Sequence, residues 1–293
     1  MKFGVILPNY GATASAEDIL TIAQSADRLG FDSAWVTDHV LLPQWDAERF
    51  GRLYEALITL AWLAGATSRV RFGVSSLVLP QRNPVIVAKQ IATLDALSGG
   101  RAMLCVGVGW SAGEYSNLGE RFEDRGRRIE EAIEVVRVLW RAKEGEPVTF
   151  HGQYYRFDEG VFSPSPMQAD GPPIWIGGYA DVVLRRAALI ADGWHASGAS
   201  VDQIAKGVET IRNAAGKRTI TISARLRLSF DDSDPSAPLS GSTENIIETL
   251  HAYQEVGLEY VVIHFRGHDL TACKEAMFRF SEQVIPALNE GTT

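Results

Sequence analysis

The sequence predicts an α/β protein built as a single (β/α)8 barrel. Short apolar, β-branched segments alternate with longer segments of helical periodicity, and eight such pairs can be counted along the 293 residues. Only a few residues link most neighbouring segments, which favours one closed barrel over an open doubly wound sheet. A barrel can occupy a chain of this length as one unit, so residues 1–293 are interpreted as one domain.

The predicted helices carry markers at their ends. The first begins at Ser15, followed by acidic residues, and stops at Gly30, as expected for a cap and a glycine terminator. The strings LGFDSAWV and VGLEYVVI repeat the passage from helix end through glycine to strand. Strands are predicted at 3–8, 33–37, 70–77, 102–108, 173–177, 192–196, 219–228 and 259–264. Helices are predicted at 16–29, 54–67, 84–98, 124–142, 180–190, 202–215, 243–256 and 271–288.

Two segments depart from the alternation. Residues 146–170 contain two β-like runs with clustered Pro, Ser and Gly, which predicts a hairpin insertion between the fourth helix and the fifth strand. A lid and a simple edge decoration are both compatible with that composition. Residues 231–241 form a polar loop after the seventh strand, at the end of the barrel where active sites sit.

Composition narrows the class of protein. The net charge of -8 and the pI near 5.3 argue against broad binding to nucleic acids or anionic membranes, so a small molecule is the expected partner. Cys105 and Cys273 are too few for a disulfide scaffold or a CxxC metal site, which favours a reduced cytoplasmic setting. The start MKFGVILPNY has no signal-peptide pattern, and no apolar run approaches the roughly 18 residues of a membrane span.

Polar and aromatic residues follow several predicted strands, and this end of a barrel carries chemistry. His39 is the candidate general acid or base, because imidazole titrates near neutrality; a purely structural histidine is an equal alternative. Asp38 beside it could orient the ring or cap a turn. The other candidates at strand ends are Asn9, Ser75, Ser76, Gly109, Trp110 and His195.

The pair Gly177–Gly178 ends one predicted strand and opens a helix. Backbone N–H groups would converge there on a point that attracts anions, although a plain tight turn has the same sequence. No HExxH motif or clustered His and carboxylate spacing is present, so no metal site is predicted. The string GVGVGW lacks the full dinucleotide-binding pattern.

The chain resembles the luciferase-like monooxygenase superfamily, in particular its coenzyme F420-dependent oxidoreductases. The matching stretches run in order over nearly the whole chain, and such a long ordered set is specific for the superfamily. They are FGVILPNYG, LGFDSAWVTDHV, VRFGVSSLVLPQRNPVIVAKQIATLDALSGGRAMLCVGVGW, EYSNLGERFEDRGRRIEEAI, GPPIWIGG and LRRAALIADGWH.

The resemblance implies a tricyclic ring at the carboxyl ends of the strands, with its phosphate held by backbone N–H groups of the glycine turn. It also implies a non-proline cis peptide in the third strand, a bulge that backs the ring and involves Ser75 and Ser76 or the next bond. The family loop after that strand makes Arg82 and Asn83 candidates for contacts to the ring or tail. The cofactor-binding residues predicted in this way are Asn9, Asp38, Ser75, Ser76, Arg82, Asn83, Gly109, Trp110, Gly177, Gly178 and Tyr179.

His39 matches the histidine that faces the substrate in related deazaflavin alcohol and sugar-phosphate dehydrogenases, where it handles the substrate proton. This chain has Pro43 where those enzymes have a tryptophan, and Trp110 where they have a glutamate. These departures argue against a strict assignment to either group. Glu114 is expected to be a solvated helix carboxylate, with a pocket-facing role as the alternative.

The function expected from the resemblance is hydride exchange between coenzyme F420 and a small organic substrate, with His39 as proton relay. An FMN-dependent two-component monooxygenase and a non-catalytic flavin-binding barrel are the alternatives, because the same barrel holds FMN. The resemblance also suggests a homodimer through the second and third helices and a separate enzyme that reduces the cofactor.

Overall fold

The computed structural model describes residues 1–230, 234, 236–265 and 269–290, and the predicted barrel is confirmed in them. The barrel strands β1 to β8 are Lys2–Ile6, Ser33–Val36, Arg71–Val74, Leu104–Gly107, Ile174–Gly177, Gly193–Ser197, Thr221–Phe230 and Tyr260–Phe265. They pair in the order β3-β2-β1-β8-β7-β6-β5-β4. Leu77–Val78 continues β3 and pairs with β4, and Phe72 bridges Ala102, so the pairing closes the ring.

A helix packs outside the sheet after each strand. The barrel helices α1 to α8 are Ala16–Arg28, Ala56–Ala64, Pro84–Ser98, Arg125–Arg141, Asp181–Ile190, Val201–Ala215, Thr243–Glu255 and Leu270–Arg279. A π-helical turn, Phe280–Val284, and the helix Ile285–Glu290 continue α8. The first seven helices begin and end within three residues of their predicted bounds. The prediction of one helix over 271–288 missed the π-helical turn.

Three local features differ from the prediction. The third strand, predicted as one run over 70–77, is interrupted by a bulge at Ser75 and Ser76, whose shared peptide is cis as the resemblance implied. The seventh strand continues to Phe230, two residues past its predicted end, because Leu228–Phe230 pairs with a short strand, Leu239–Gly241. A short helix at Gln44–Phe50 forms in a loop where none was predicted, and a second one at Ala112–Asn117 carries Glu114, which was expected on a helix.

The segment 146–170 contains an antiparallel hairpin between Pro147–His151 and Arg156–Val161. The Glu131 carboxylate on α4 accepts hydrogen bonds from the backbone N–H groups of residues 153, 154 and 155 in the hairpin turn. The hairpin is therefore docked on the outside of the barrel, and this arrangement favours the edge decoration over the lid.

The barrel interior is filled with side chains. Trp35 stacks on Trp175 with ring centroids 5.4 Å apart, and a Cβ added at Gly73 would lie 2.4 Å from the Trp35 ring. Glycine on β3 therefore makes room for tryptophan on β2, as a packed barrel core requires. His195 also stacks on Trp35, with centroids 5.3 Å apart, and its ring lies 6.2 Å from that of Trp175. Beyond this layer, at the carboxyl ends of the strands, the barrel opens into a pocket.

Cys105 and Cys273 are both free thiols. In the part of the chain that the structure describes, no helix is long and apolar enough to cross a membrane. Of the predicted polar loop 231–241, residues 231–233 and 235 lie outside the described residues.

Candidate active site

A pocket of about 660 Å³ opens at the carboxyl ends of the barrel strands, a volume in the usual range for small-molecule sites. We call it the mouth pocket. Its lining residues are Tyr10, Thr37, Asp38, His39, Arg49, Phe50, Ser75, Ser76, Val78, Gly109, Trp110, Ser197, Gly198, Arg225, Arg227 and His264. A larger cavity of about 850 Å³ lies outside the barrel along α4 and has a charged lining that shares no residue with the mouth pocket.

Six of the predicted site residues line the mouth pocket, and six do not. Those in its wall are Asp38, His39, Ser75, Ser76, Gly109 and Trp110. Those outside its lining are Asn9, Arg82, Asn83, Gly177, Gly178 and Tyr179.

His39 is held by a carboxylate that the sequence did not connect with it. Its Nδ1 lies 2.9 Å from Glu114 Oε2, and the other oxygen of Glu114 accepts a hydrogen bond of 2.6 Å from the Val40 N–H. Glu114 is 1% exposed, so the expectation of a solvated carboxylate is wrong. The short helix Ala112–Asn117, which begins at the Ser111 cap, carries it under the rim of the pocket.

The protonation state of this pair follows from its contacts. Burial alone would raise the pKa of Glu114, but hydrogen bonds from His39 and Val40 more than offset it, so the pKa lies below its ordinary value. An ionised carboxylate only accepts hydrogen bonds, so Nδ1 of His39 carries a proton toward Glu114. Nε2, on the opposite edge of the ring, is the nitrogen left for chemistry in the pocket.

Two aromatic side chains restrict the His39 ring on its other sides. Phe50 meets it edge-on at 4.4 Å between centroids, and Trp110 does so at 5.6 Å. Trp110 also stacks on Phe50 and is half exposed, so it forms part of the pocket wall and is not a core residue. Phe50 comes from the short helix Gln44–Phe50, which the sequence did not predict.

The bulge in β3 is tied to the barrel core through His195. Ser223 donates its hydroxyl to the Trp194 carbonyl at 2.8 Å and therefore accepts from Nδ1 of His195 at 2.9 Å. Nε2 of His195 then accepts the hydroxyl of Ser75 at 2.8 Å. We call this the Ser75–His195–Ser223 chain. Burial, assisted by the charge of Arg225, lowers the pKa of His195 to about 3, so the ring stays neutral.

Asp38 holds the backbone next to the bulge in β3 by a hydrogen bond. One of its oxygens accepts from the Val78 N–H at 2.9 Å, just after the bulge, and the other pairs with Arg82 at 2.5 Å. Asn9 is fully buried, and its side chain bonds both backbone groups of Thr37. Asn83 caps α3 by accepting from the Val85 N–H. In this structure these side chains organise the loops around the pocket.

The glycine turn lies beside the bulge. A Cβ at Gly107 would lie 2.5 Å from Ser76 Oγ and one at Gly177 would lie 3.2 Å from it, so the bulge needs both glycines. Gly178 has a φ of +129 and donates its N–H to the His195 carbonyl at 3.3 Å. Helix α5 follows after Ala180, which makes no side-chain cap. The Val183 N–H donates to the Ala180 carbonyl, so the N–H groups of Asp181 and Val182 are the ones available to an anion.

The far wall of the pocket is cationic, and sequence reasoning missed it. Arg225 and Arg227 lie near the end of β7, where they alternate with Leu226 and Leu228. That alternation was the available signal, because residues two apart in a strand share a face. Tyr10, Arg49 and His264, also missed, complete this side. Among the residues that the structure describes, no group of three or more His, Cys, Asp and Glu could hold a metal.

Comparison with known proteins agrees with the barrel fold. The family model of luciferase-like monooxygenases matches residues 1–238. An F420-dependent glucose-6-phosphate dehydrogenase of Kineococcus radiotolerans is 32% identical over 95% of this chain and 96% of its own length. An FMNH2-dependent dimethylsulfone monooxygenase of Pseudomonas putida is 31% identical over 66% of this chain and 52% of its own.

A solved structure has the same fold. The F420-dependent secondary alcohol dehydrogenase in complex with an F420-acetone adduct superposes with a TM-score of 0.83 at 21% identity, covering 98% of both chains. The family match spans most of the sequence and agrees with the ordered motifs and with the observed barrel. The chain belongs to the luciferase-like monooxygenase family.

Proposed function

We propose that this protein is a coenzyme F420-dependent oxidoreductase that exchanges a hydride between the deazaflavin and a small organic substrate. The observation that carries the proposal is the buried His39–Glu114 pair in the wall of the mouth pocket, close to the bulge at Ser75 and Ser76. Relatives named as F420-dependent dehydrogenases, aligned over nearly the whole chain, support the choice of cofactor.

The residues present fit a deazaflavin. The bulge can back a planar ring because Gly107 and Gly177 leave the space that Ser76 occupies. The uncapped first turn of α5, next to Gly177 and Gly178, suits the phosphate of the tail, since a helix N-terminus attracts anions. We infer that Val78, Gly109 and Trp110 would border the ring, and that Tyr179 would lie near the phosphate.

The chain's own contribution is proton transfer and positioning. When bound, coenzyme F420 would supply or accept the hydride. His39 would accept the hydroxyl proton at Nε2 when an alcohol is oxidised, and would return it when a carbonyl is reduced. Glu114 keeps the opposite nitrogen protonated and stabilises the imidazolium that forms. Phe50 and Trp110 restrict the approach of water to the ring of His39.

Cofactor titration tests this proposal. We expect the purified protein to bind oxidised F420 in a fluorescence titration at least ~tenfold more tightly than FMN, and to oxidise reduced F420 with a carbonyl substrate. Tight FMN binding without affinity for F420 would instead assign a two-component monooxygenase, which the dimethylsulfone relative makes the second candidate. F420 binding without turnover over a broad substrate panel would indicate a non-catalytic barrel.

We also propose a homodimer through α2 and α3. Ile58 and Trp62 on α2 and Ile86 and Leu97 on α3 are large apolar side chains that stay 45% to 69% exposed. Light scattering after gel filtration should give twice the chain mass of 32.1 kDa, and the double variant Ile58→Glu, Leu97→Glu should give the single mass. Leu189→Glu, on the exposed face of α5, is the matched control and should remain dimeric. A monomeric wild-type protein would contradict the proposal.

The proposed function also includes a second enzyme that reduces the cofactor and a cytoplasmic location. A separate enzyme would reduce the cofactor, because the described residues offer one ligand pocket at the barrel mouth for both cofactor and substrate. The cytoplasmic setting stays a prediction, based on the two free cysteines.

A further inference from the structure

The cationic wall of the mouth pocket contains an arginine with an unusual set of partners. The Arg225 guanidinium donates to Thr37 Oγ1 at 3.2 Å, to the Tyr10 hydroxyl at 3.0 Å and to His264 Nδ1 at 3.4 Å. All three acceptors are hydroxyl or imidazole groups. Within residues 1–230, 234, 236–265 and 269–290, no carboxylate forms an ion pair with Arg225.

Two other arginines near the pocket form ion pairs with carboxylates, as buried or partly buried arginines usually do. Arg82 pairs with Asp38 at 2.5 Å, and Arg227 pairs with Asp234 at 3.3 Å. The charge of Asp38, the carboxylate in the pocket lining, is thus already paired with Arg82, which lies outside the lining. Arg225, and Arg49 at the lip, keep their charge facing the pocket, although the whole chain carries a net charge of -8.

The guanidinium of Arg225 is partly buried, and it loses hydration that no carboxylate of the described residues replaces by an ion pair. Three of its five N–H donors serve Thr37, Tyr10 and His264, so the N–H groups that remain on Nε and Nη1 are available to the oxygens of a carboxylate, sulfonate or phosphate group. The contacts to Tyr10 and Thr37 fix the guanidinium in advance and so reduce the entropy lost when an anion binds. The arrangement therefore suits an anionic ligand that brings its own counter-charge.

The position of Arg225 separates this anion from the cofactor phosphate. Arg225 lies on β7 and is held by residues that follow β1 and β2, whereas the glycine turn follows β5 and the bulge interrupts β3. Thr37, which anchors Arg225, is two residues before His39. An anion held by Arg225 would place the rest of the molecule beside His39.

We propose that Arg225 anchors an anion subsite, so that the substrate is a small organic acid whose carboxylate, sulfonate or phosphate binds Arg225 while its reacting carbon lies next to His39. The position of the reacting carbon rests on the proposed oxidoreductase function, whereas the anion subsite does not depend on which cofactor is used.

A pair of probes of equal shape tests the subsite directly. Propionate and propionamide differ in charge, and calorimetric titration of the purified protein, alone and saturated with oxidised F420, measures both. We expect propionate to bind at least ~tenfold more tightly than propionamide. Methanesulfonate and inorganic phosphate, titrated in parallel, identify which oxyanion the subsite prefers; an advantage over propionamide for any of the three supports the proposal.

Variants localise the effect. Arg225→Gln should remove the advantage of the preferred anion over propionamide, and Arg225→Lys should retain part of it because the charge stays while the planar guanidinium is lost. Arg212→Gln, an exposed arginine on α6 with the same charge change, should behave as wild type. F420 affinity should be unchanged in Arg225→Gln.

The proposal would be overturned if the wild-type protein bound propionamide and all three anions equally, or if Arg225→Gln left the anion affinity unchanged. Loss of F420 affinity in Arg225→Gln would also overturn it, because Arg225 would then be a cofactor contact. The first comparison needs no variant and so does not depend on Arg225→Gln being stable. If the protein bound the anions but not F420, only the proposed cofactor would be refuted. If it bound F420 but showed no preference for the anions, only the proposed subsite would be refuted.

Discussion

Replacing His39 with glutamine is expected to lower kcat for hydride transfer by ~10²–10⁴-fold, the usual contribution of a general acid or base, while F420 affinity stays unchanged. The reason is the position of the ring, which is fixed by Glu114 on one side and by Phe50 and Trp110 on the others. Glutamine cannot move a proton at the position of Nε2. Single-turnover reduction of a carbonyl substrate, followed with prereduced F420, measures the step separately from binding.

Glu114→Gln tests the positioning half of the pair. An amide can donate to Nδ1 and so favour the other tautomer, with the proton on Nε2, which is wrong for accepting a substrate proton. We expect a ~10–100-fold loss in kcat with little change in KM. Glu130→Gln on the outer face of α4 removes the same charge outside the pocket and should leave both constants unchanged. Equal kcat values for wild type, His39→Gln and Glu114→Gln would exclude this pair from the reaction.

The barrel was predictable because its signals are local. Each strand is a short apolar run, and glycine ends such as Gly30 and Gly99 stop helices with positive φ, so periodicity and caps fix eight units within a few residues. The break in β3 was not visible in the periodicity. Ser75 and Ser76 continue a strand pattern without interruption, and only the resemblance to the family pointed to a cis peptide between them.

The sequence identified those site residues that directly follow a strand, because their position along the chain is enough to place them at the barrel mouth. His39 and Trp110 follow strands, and so were found; Glu114 was misjudged because its contact joins residues 75 positions apart, which helical spacing does not encode. Asn9 also follows a strand, but its polar atoms bond the backbone of Thr37 and Tyr54, behind the pocket lining. Arg225 was missed because its partners come from three other strand ends.

The stability of the protein is expected to depend on pH through His195. Its folded pKa of about 3 lies below the ordinary value of 6.5, so as the pH falls the unfolded chain takes up a proton first. Above pH 6.5 both states are neutral at this residue and it adds no pH dependence. Below that, the contribution of His195 to the free energy of unfolding should fall by ~1.4 kcal/mol per pH unit, or about 2 kcal/mol by pH 5.

Urea unfolding at several values between pH 7.5 and pH 5 measures this slope. His195→Gln removes the titrating ring, so its free energy of unfolding should lose that part of the slope, whatever its value at pH 7.5. His251→Gln, a partly exposed histidine on α7, is the matched control and should keep the wild-type slope. Parallel curves for wild type and His195→Gln would show that His195 is not held neutral by the fold.

The pH window also separates His195 from Glu114. The pKa of Glu114 is lowered from 4.5, so its stabilising effect is present above that value and is lost only as the pH falls through its folded pKa. The difference between the wild-type and His195→Gln slopes above pH 5 is therefore free of the Glu114 titration. Protonated His195 would have no lone pair for the Ser75 hydroxyl, so the Ser75–His195–Ser223 chain holds the bulge only while the ring is neutral. The tie between the pocket wall and the barrel core thus depends on the burial of one imidazole against Trp35.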